Sequence, residues 1–407
     1  MARLAALLAI LIVTAALDVI PFAAAAESIA NDGIDAAVAH GVDWLLAQQE
    51  PDGAWRSTKY AQLEAGPAAT ALAVATLARV LNNEPAASPP AAAARRAIRN
   101  ALPFLLNKLS PAGFVRSPED ASEYPTYATA LTLIALEQLP TSDREPYADA
   151  IQRMQTYLAA TQVSAPLPNK LATANDVGGW GLVGGDPADP SSFRTANVST
   201  TRFALEALVP VAAAQPETMR RARQYLIQRQ NADGGFAFLS DPLDQLNKAG
   251  AIDPPRAGEP FTARSYGTTT ADGLIALRAD GLPANDPRVA AAINWLNAHP
   301  QVDAVPGFPP DEVSTAASQG LFYYYAASLA RAMSAYPDAQ FAARAPDLAA
   351  ELISRQRPDG SWANTIPTMR EDDPLTATCL ALESLETLRD LHGMGAMLSP
   401  PRREYAE

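Results

Sequence analysis

The chain has 407 residues, 48 % of them hydrophobic, 7 % aromatic and 18 % charged, with a formal net charge of −13. That apolar content excludes an intrinsically disordered chain, and the lack of apolar runs of about 20 residues after the N-terminus excludes a polytopic membrane protein. Lysines occur only at 59, 108, 170 and 248, so with an acidic balance no nucleic-acid partner is expected.

Residues 1–26 read as an export signal. Arg3 gives a positive start, Leu4 to Leu17 an apolar core too short to span comfortably, and Ala23 to Ala26 small residues for cleavage. The expectation is a periplasmic or extracellular protein with no stable membrane span after signal cleavage; an uncleaved anchor is the alternative. Asp18 fits neither reading well. Cys379 is the single cysteine and the three histidines lack ligand spacing. No disulfide, no metal site and no cofactor are expected.

From residue 34 onward one unit recurs. Trp44-Leu45 is followed at fixed spacing by Gln49, Gly53 and Trp55. The same spacing returns as Tyr225-Leu226, Gln230, Gly234, Phe236, and again from Leu352 through Gln356 and Gly360 to Trp362. Weaker copies close at Phe114, Trp180 and Phe308, so the closing aromatics lie 54 to 72 residues apart. A second pattern lies between them: Thr70, Val74, Leu77; Thr129, Leu133, Leu136; Thr201, Leu205, Leu208; Thr270, Leu274, Leu277; Thr378, Leu382, Leu385. In the fifth unit Tyr325, Leu329 and Ala332 take these places. Offsets of 4 and 7 put these side chains on one helical stripe.

Each unit therefore predicts a pair of helices. The first carries charge on one side and ends at a Gly turn, as at Pro51-Asp52-Gly53, where glycine tolerates the left-handed conformation. The second is nearly uncharged and belongs inside. Two long loops, 163–197 and 238–263, are rich in Gly, Pro and Asp, and long loops are often functional or disordered. Residues 393–407 read as a disordered tail. Length alone suggests two or three domains; six repeats over 27–392 make a single domain instead.

The Leu-x3-Gln-x3-Gly-x-Trp element resembles the QW motif of the prenyltransferase and squalene-oxidase repeat superfamily, which includes terpenoid cyclases and protein prenyltransferase β subunits. The resemblance covers about residues 34–390. It implies an all-α fold, an α6/α6 toroid with six inner helices around a cavity and six outer helices. Gly360-Ser361-Trp362-Ala363-Asn364, Glu371-Asp372-Asp373-Pro374 and Leu321-Phe322-Tyr323-Tyr324-Tyr325 look like uncharacterised exported bacterial members. The zinc ligands of protein prenyltransferases are missing. Glu371-Asp372-Asp373 approaches the Asp-x-Asp-Asp motif of polyene-protonating cyclases but lacks its leading Asp, since position 370 is Arg.

Aligned on the inner-helix Thr, the residues six positions earlier are Glu64, Glu123, Thr195, Arg264, Gln319 and Asp372. In a closed toroid they would ring one mouth. The cavity beside that ring would see Tyr124, Tyr127, Arg202, Tyr266, Phe322, Tyr323 and Glu371. Aromatic faces stabilise a carbocation, and a carboxylic acid desolvated among them can protonate an alkene. Asp372 or Asp373 is the candidate acid, and helix capping is the competing role for both. The reading is thus a cavity for an apolar, isoprenoid-like or other small ligand, used by a terpenoid cyclase or transferase. The alternative is a non-catalytic binding protein or an interaction scaffold.

Overall fold

A computed structural model describes residues 33–398 apart from 86, 117–123, 167–171, 183–194, 240–246, 254–255, 338 and 368–369. The segment read as an export signal, Glu123 and residues 399–407 lie outside the described residues.

Twelve described helices alternate between an outer and an inner layer. The outer helices are α1 (33–47), α3 (Pro89–Asn107), α5 (Ala148–Thr161), α7 (Pro216–Arg229), α9 (Pro287–Ala298) and α11 (Ala345–Ser354). The inner ones are α2 (Pro67–Asn83), α4 (Pro125–Gln138), α6 (Val198–Leu208), α8 (Gly267–Ala279), α10 (Phe322–Ala335) and α12 (Pro374–Leu398). Shorter helices lie in the connections, the longest at Glu312–Gly320. Each inner helix packs on the next, and α12 packs back on α2, so the barrel closes. The first five inner helices are buried along most of their length, whereas the outer helices bury one stripe. Helix α12 runs through Leu398, so its C-terminal turn takes up residues read from the sequence as tail. Strand structure among the described residues is confined to two-residue pairs, Trp180–Gly181 with Ala196–Asn197 and Ala251–Ile252 with Thr262–Ala263. No described helix is long and apolar enough to cross a membrane.

The repeat motifs do the same work in the copies that keep them. The Gln49 amide donates to its own turn at Gly53 O (3.0 Å) and to Ala97 O of the next outer helix (2.8 Å). Gln162 and Gln230 make the equivalent pairs of bonds to Gly178 and Thr218 and to Gly234 and Arg288. The closing aromatic is held by both helices of its repeat: Trp55 N donates to Thr70 Oγ1 of the inner helix at 2.9 Å, and its indole N–H donates to Leu45 O of the outer helix at 2.8 Å. Trp180 and Trp362 repeat both bonds with Thr201 and Leu158 and with Thr378 and Leu352. A buried indole needs such a partner for its N–H. The turn glycine lets neighbouring repeats touch, because Gly53 has φ 87° and a Cβ there would lie 2.0 Å from Asn100 O of the next outer helix.

Candidate functional site

The N-terminal ends of the inner helices surround a cavity of about 430 Å³. Its walls are largely apolar and aromatic, with Tyr124, Tyr127, Phe203, Phe238, Tyr266 and Tyr324 carrying the rings. Leu182, Phe238 and Lys248 reach it from the two long loops. Arg370 and Lys248 bring positive charge to the lining. Arg370 has φ 64°, the one described non-glycine residue in the left-handed region, a conformation that costs on the order of 1–3 kcal/mol. Its guanidinium donates to the Tyr124 hydroxyl at 2.6 Å and faces the Tyr60 and Tyr124 rings.

Glu371 is the carboxyl on this wall, 1 % exposed. Its two oxygens accept from Tyr323 N and Tyr324 N, each at 2.8 Å. Those are first-turn N–H groups of α10, which no carbonyl of the helix itself satisfies. Burial pushes its pKa up to about 8, against the opposing pull of the two backbone donors. Glu371 is therefore largely protonated at neutral pH while facing an apolar cavity.

A second carboxyl lies deeper. Asp272 of α8 is 0 % exposed. It accepts from Ser199 Oγ at 2.5 Å, Ser328 Oγ at 2.8 Å and Tyr324 OH at 2.9 Å. Three helices, α6, α8 and α10, converge on it. Ser199 and Tyr324 also line the cavity, so their hydroxyls bridge it to Asp272. Among the described residues no cation lies within salt-bridge distance of Asp272. A fully buried carboxyl held by hydroxyls from two neighbouring helices, two of which also line the cavity, marks Asp272 as a functional candidate.

No family model matches the chain. It is 29 % identical over 209 residues to the drimenyl diphosphate synthase of Streptomyces showdoensis, spanning 50 % of this chain and 33 % of that protein. The chain thus covers about a third of the length of that curated relative. Among solved structures it resembles the type II terpene cyclase MstE from Scytonema with a TM-score of 0.57 at 16 % identity, covering 89 % of this chain and 99 % of that one. The chain has an α/α-toroid fold like that of this terpene cyclase. The toroid superposes with similar quality, TM-score 0.55 at 15 % identity over 89 % and 99 %, on MstE in complex with geranylgeranyl dihydroxybenzoate. It also matches an inactive variant of an α-1,6-mannanase from Salegentibacter in complex with α-1,6-mannotetrose, TM-score 0.56 at 10 % identity over 88 % and 99 %. One fold serving two chemistries means that these likenesses describe architecture, and the toroid's chemistry has to be argued from its own side chains.

Of the residues singled out from the sequence, Tyr124, Tyr127, Tyr266 and Glu371 line the cavity of the toroid. Arg202 is buried one layer below, paired with Glu206. The ring at the mouth does not form from the others. Glu64 and Gln319 are exposed, and Arg264 donates to Ala251 O. Asp372 pairs with Lys59 and accepts from the Tyr60 hydroxyl. Burial would raise its pKa, but those partners outweigh burial and hold it below the usual value. Asp373 stands before α12 and accepts from Leu375 N at 3.4 Å and Thr376 Oγ1 at 2.9 Å, a capping role. Neither aspartate is among the residues lining the cavity. Phe322 and Tyr323 turn away from it. The Arg355 guanidinium stacks 3.6 Å from the Phe322 ring, and that ring meets Tyr323 edge to face. Leu321 and Tyr324 line the cavity instead, three residues apart as one helical face requires. Sequence reading missed Tyr324, Ser199 and Asp272. An aspartate inside the otherwise uncharged run Thr268-Thr269-Thr270-Ala271-Asp272-Gly273 was the available signal.

Proposed function

We propose that the toroid binds an isoprenoid-like chain in the mouth cavity and isomerises it by proton transfer, as a terpenoid-cyclase-like enzyme. The observation that carries this is Glu371, a buried carboxyl on a wall of aromatic rings, whose pKa burial raises. A drimenyl diphosphate synthase as partial relative and a cyclase fold with a geranylgeranyl ligand support the reading.

The chemistry balances without a cofactor. Glu371 gives its proton to an alkene carbon, and the alkene's π electrons form the new C–H bond. The carbocation left behind is stabilised by the faces of Tyr127, Phe203, Tyr266 and Tyr324 and attacked by a second alkene to close a ring. A proton next to the final cation leaves to the Asp272 carboxylate through the Tyr324 or Ser199 hydroxyl, and its C–H electrons become the new double bond. The product is an isomer of the substrate. Proton exchange with solvent resets both carboxyls. With residues 1–26 as an export signal, this activity would lie outside the cytoplasm.

A second reading is a non-catalytic carrier. It is favoured by one observation: both Glu371 oxygens are already engaged in capping α10. Incubation of the wild type and Glu371→Gln with farnesol and geranylgeraniol separates the two. The enzyme reading expects ring-containing isomers by gas chromatography from the wild type only, with both proteins binding the alcohols. Binding without isomer in either protein supports the carrier.

A further inference from the structure

We infer that the far end of the cavity is a chain-length gauge: Phe203 and Tyr127, backed by a layer of ion pairs across the barrel, limit how long an apolar chain the site accepts. This rests on the reading that the cavity holds an isoprenoid-like chain.

The barrel axis holds two cavities. The second, about 480 Å³, lies at the C-terminal ends of the inner helices and is lined by Arg79, Glu137, Glu206, Arg278 and Arg331 among others. The two share no lining residue among those described. Phe203 is the lining residue furthest along α6, and its ring meets that of Tyr127 edge to face with centroids 4.8 Å apart. Directly behind them Arg202 pairs with Glu206 at 2.6 Å, and Arg331 bridges Glu206 and Glu383. This layer joins α6, α10 and α12. The Arg202 guanidinium lies 4.1 Å from the Phe203 ring centroid, tying the aromatic floor to the charges.

Such a layer stops a hydrocarbon for two reasons. Displacing it would strip partners from buried charges, which is strongly unfavourable. Beyond it the walls are charged, so apolar surface gains little by entering. From Asn197, the residue that caps α6, to Phe203 the lining advances six residues, about 9 Å at a helical rise of 1.5 Å. A prenyl chain must therefore fold to fit, and each added isoprene unit competes for a fixed volume. Cavities of this size are rigid enough that one methylene changes selectivity by tenfold or more.

The test is calorimetric titration of the full chain with farnesol and geranylgeraniol. The wild type should favour farnesol. Phe203→Ala should shift the ratio of the two Kd values about tenfold towards geranylgeraniol. Leu72→Phe, which adds bulk to the cavity wall supplied by α2, should shift it the other way and serves alone if Phe203→Ala does not fold by circular dichroism. An unchanged ratio in folded variants of a wild type that binds farnesol overturns the gauge and leaves the cavity reading standing. A wild type that binds neither alcohol overturns both.

Discussion

The side-chain amide of Gln356 donates to the backbone carbonyl of Ala37 at 2.8 Å. These residues are 319 apart in sequence, yet the bond is the same one that Gln49 makes to Ala97 between neighbouring repeats. The last repeat thus holds the first by the interaction that joins every good copy to its successor, and the toroid closes by repetition. Gln356 also donates to Gly360 O at 2.9 Å. Gln356→Leu leaves two carbonyls without this donor and should destabilise the chain by about 1–3 kcal/mol. Denaturant titration of wild type and variant checks this. A change within error would mean that the seam is held elsewhere.

Gly53→Ala should cost at least as much. The new Cβ would sit 2.0 Å from Asn100 O, a backbone atom that cannot rotate away, in a residue with φ 87°. Strain of this kind is worth roughly 1–3 kcal/mol before the clash is counted. A thermal melt reads it as a lowered Tm. By contrast Gly281→Ala, also at positive φ but with nothing within 4 Å, should carry only the conformational part.

Glu371 predicts a pH signature in stability. Burial raises its pKa in the fold to about 8, against an ordinary value of 4.5. The folded chain therefore keeps a proton that the unfolded chain has lost once pH exceeds the lower value. Stability from this group is fully present below that range and falls as pH rises towards 8. In Glu371→Gln that contribution disappears, so the wild-type-minus-variant difference should decline with rising pH. A difference that is flat from pH 5 to 8 would contradict the assignment.

Asp272→Asn keeps the shape and an oxygen to accept hydroxyl protons, so its fold should survive. As a proton acceptor it is disabled, and product formation should fall by about 10²–10⁴, the usual worth of a positioned acid or base. Gas chromatography of the products measures this, with circular dichroism as the control for folding. Tyr324→Phe removes one of the two hydroxyl bridges to the cavity and should produce a smaller loss.

The repeat architecture was legible because each motif residue makes a bond that its spacing implies. Gln reaches the next helix, Gly permits contact, the aromatic fills the hub, and the inner-helix Thr accepts from the aromatic's N–H. The mouth was less legible. Counting six residues back from Thr leaves the helix and enters connections of differing length, where no periodic register carries over. Glu64 and Gln319 ended up exposed for that reason. The choice among Phe322, Tyr323 and Tyr324 depends on helix rotation, about 100° per residue, which packing against Arg355 and Glu371 decides. Asp272 finds its partners on α6 and α10, contacts between repeats that the pattern within one repeat cannot display.

The central claim is that Glu371 delivers a proton to a bound alkene. Incubating the wild type with farnesol in deuterated water and analysing the products by mass spectrometry tests it most directly. The account predicts a cyclic isomer carrying one carbon-bound deuterium from solvent, lost in Glu371→Gln while farnesol still binds, and lost in the wild type as pH rises through about 8. Bound farnesol recovered unchanged and free of carbon-bound deuterium, or a labelled isomer made equally well by Glu371→Gln, would contradict it.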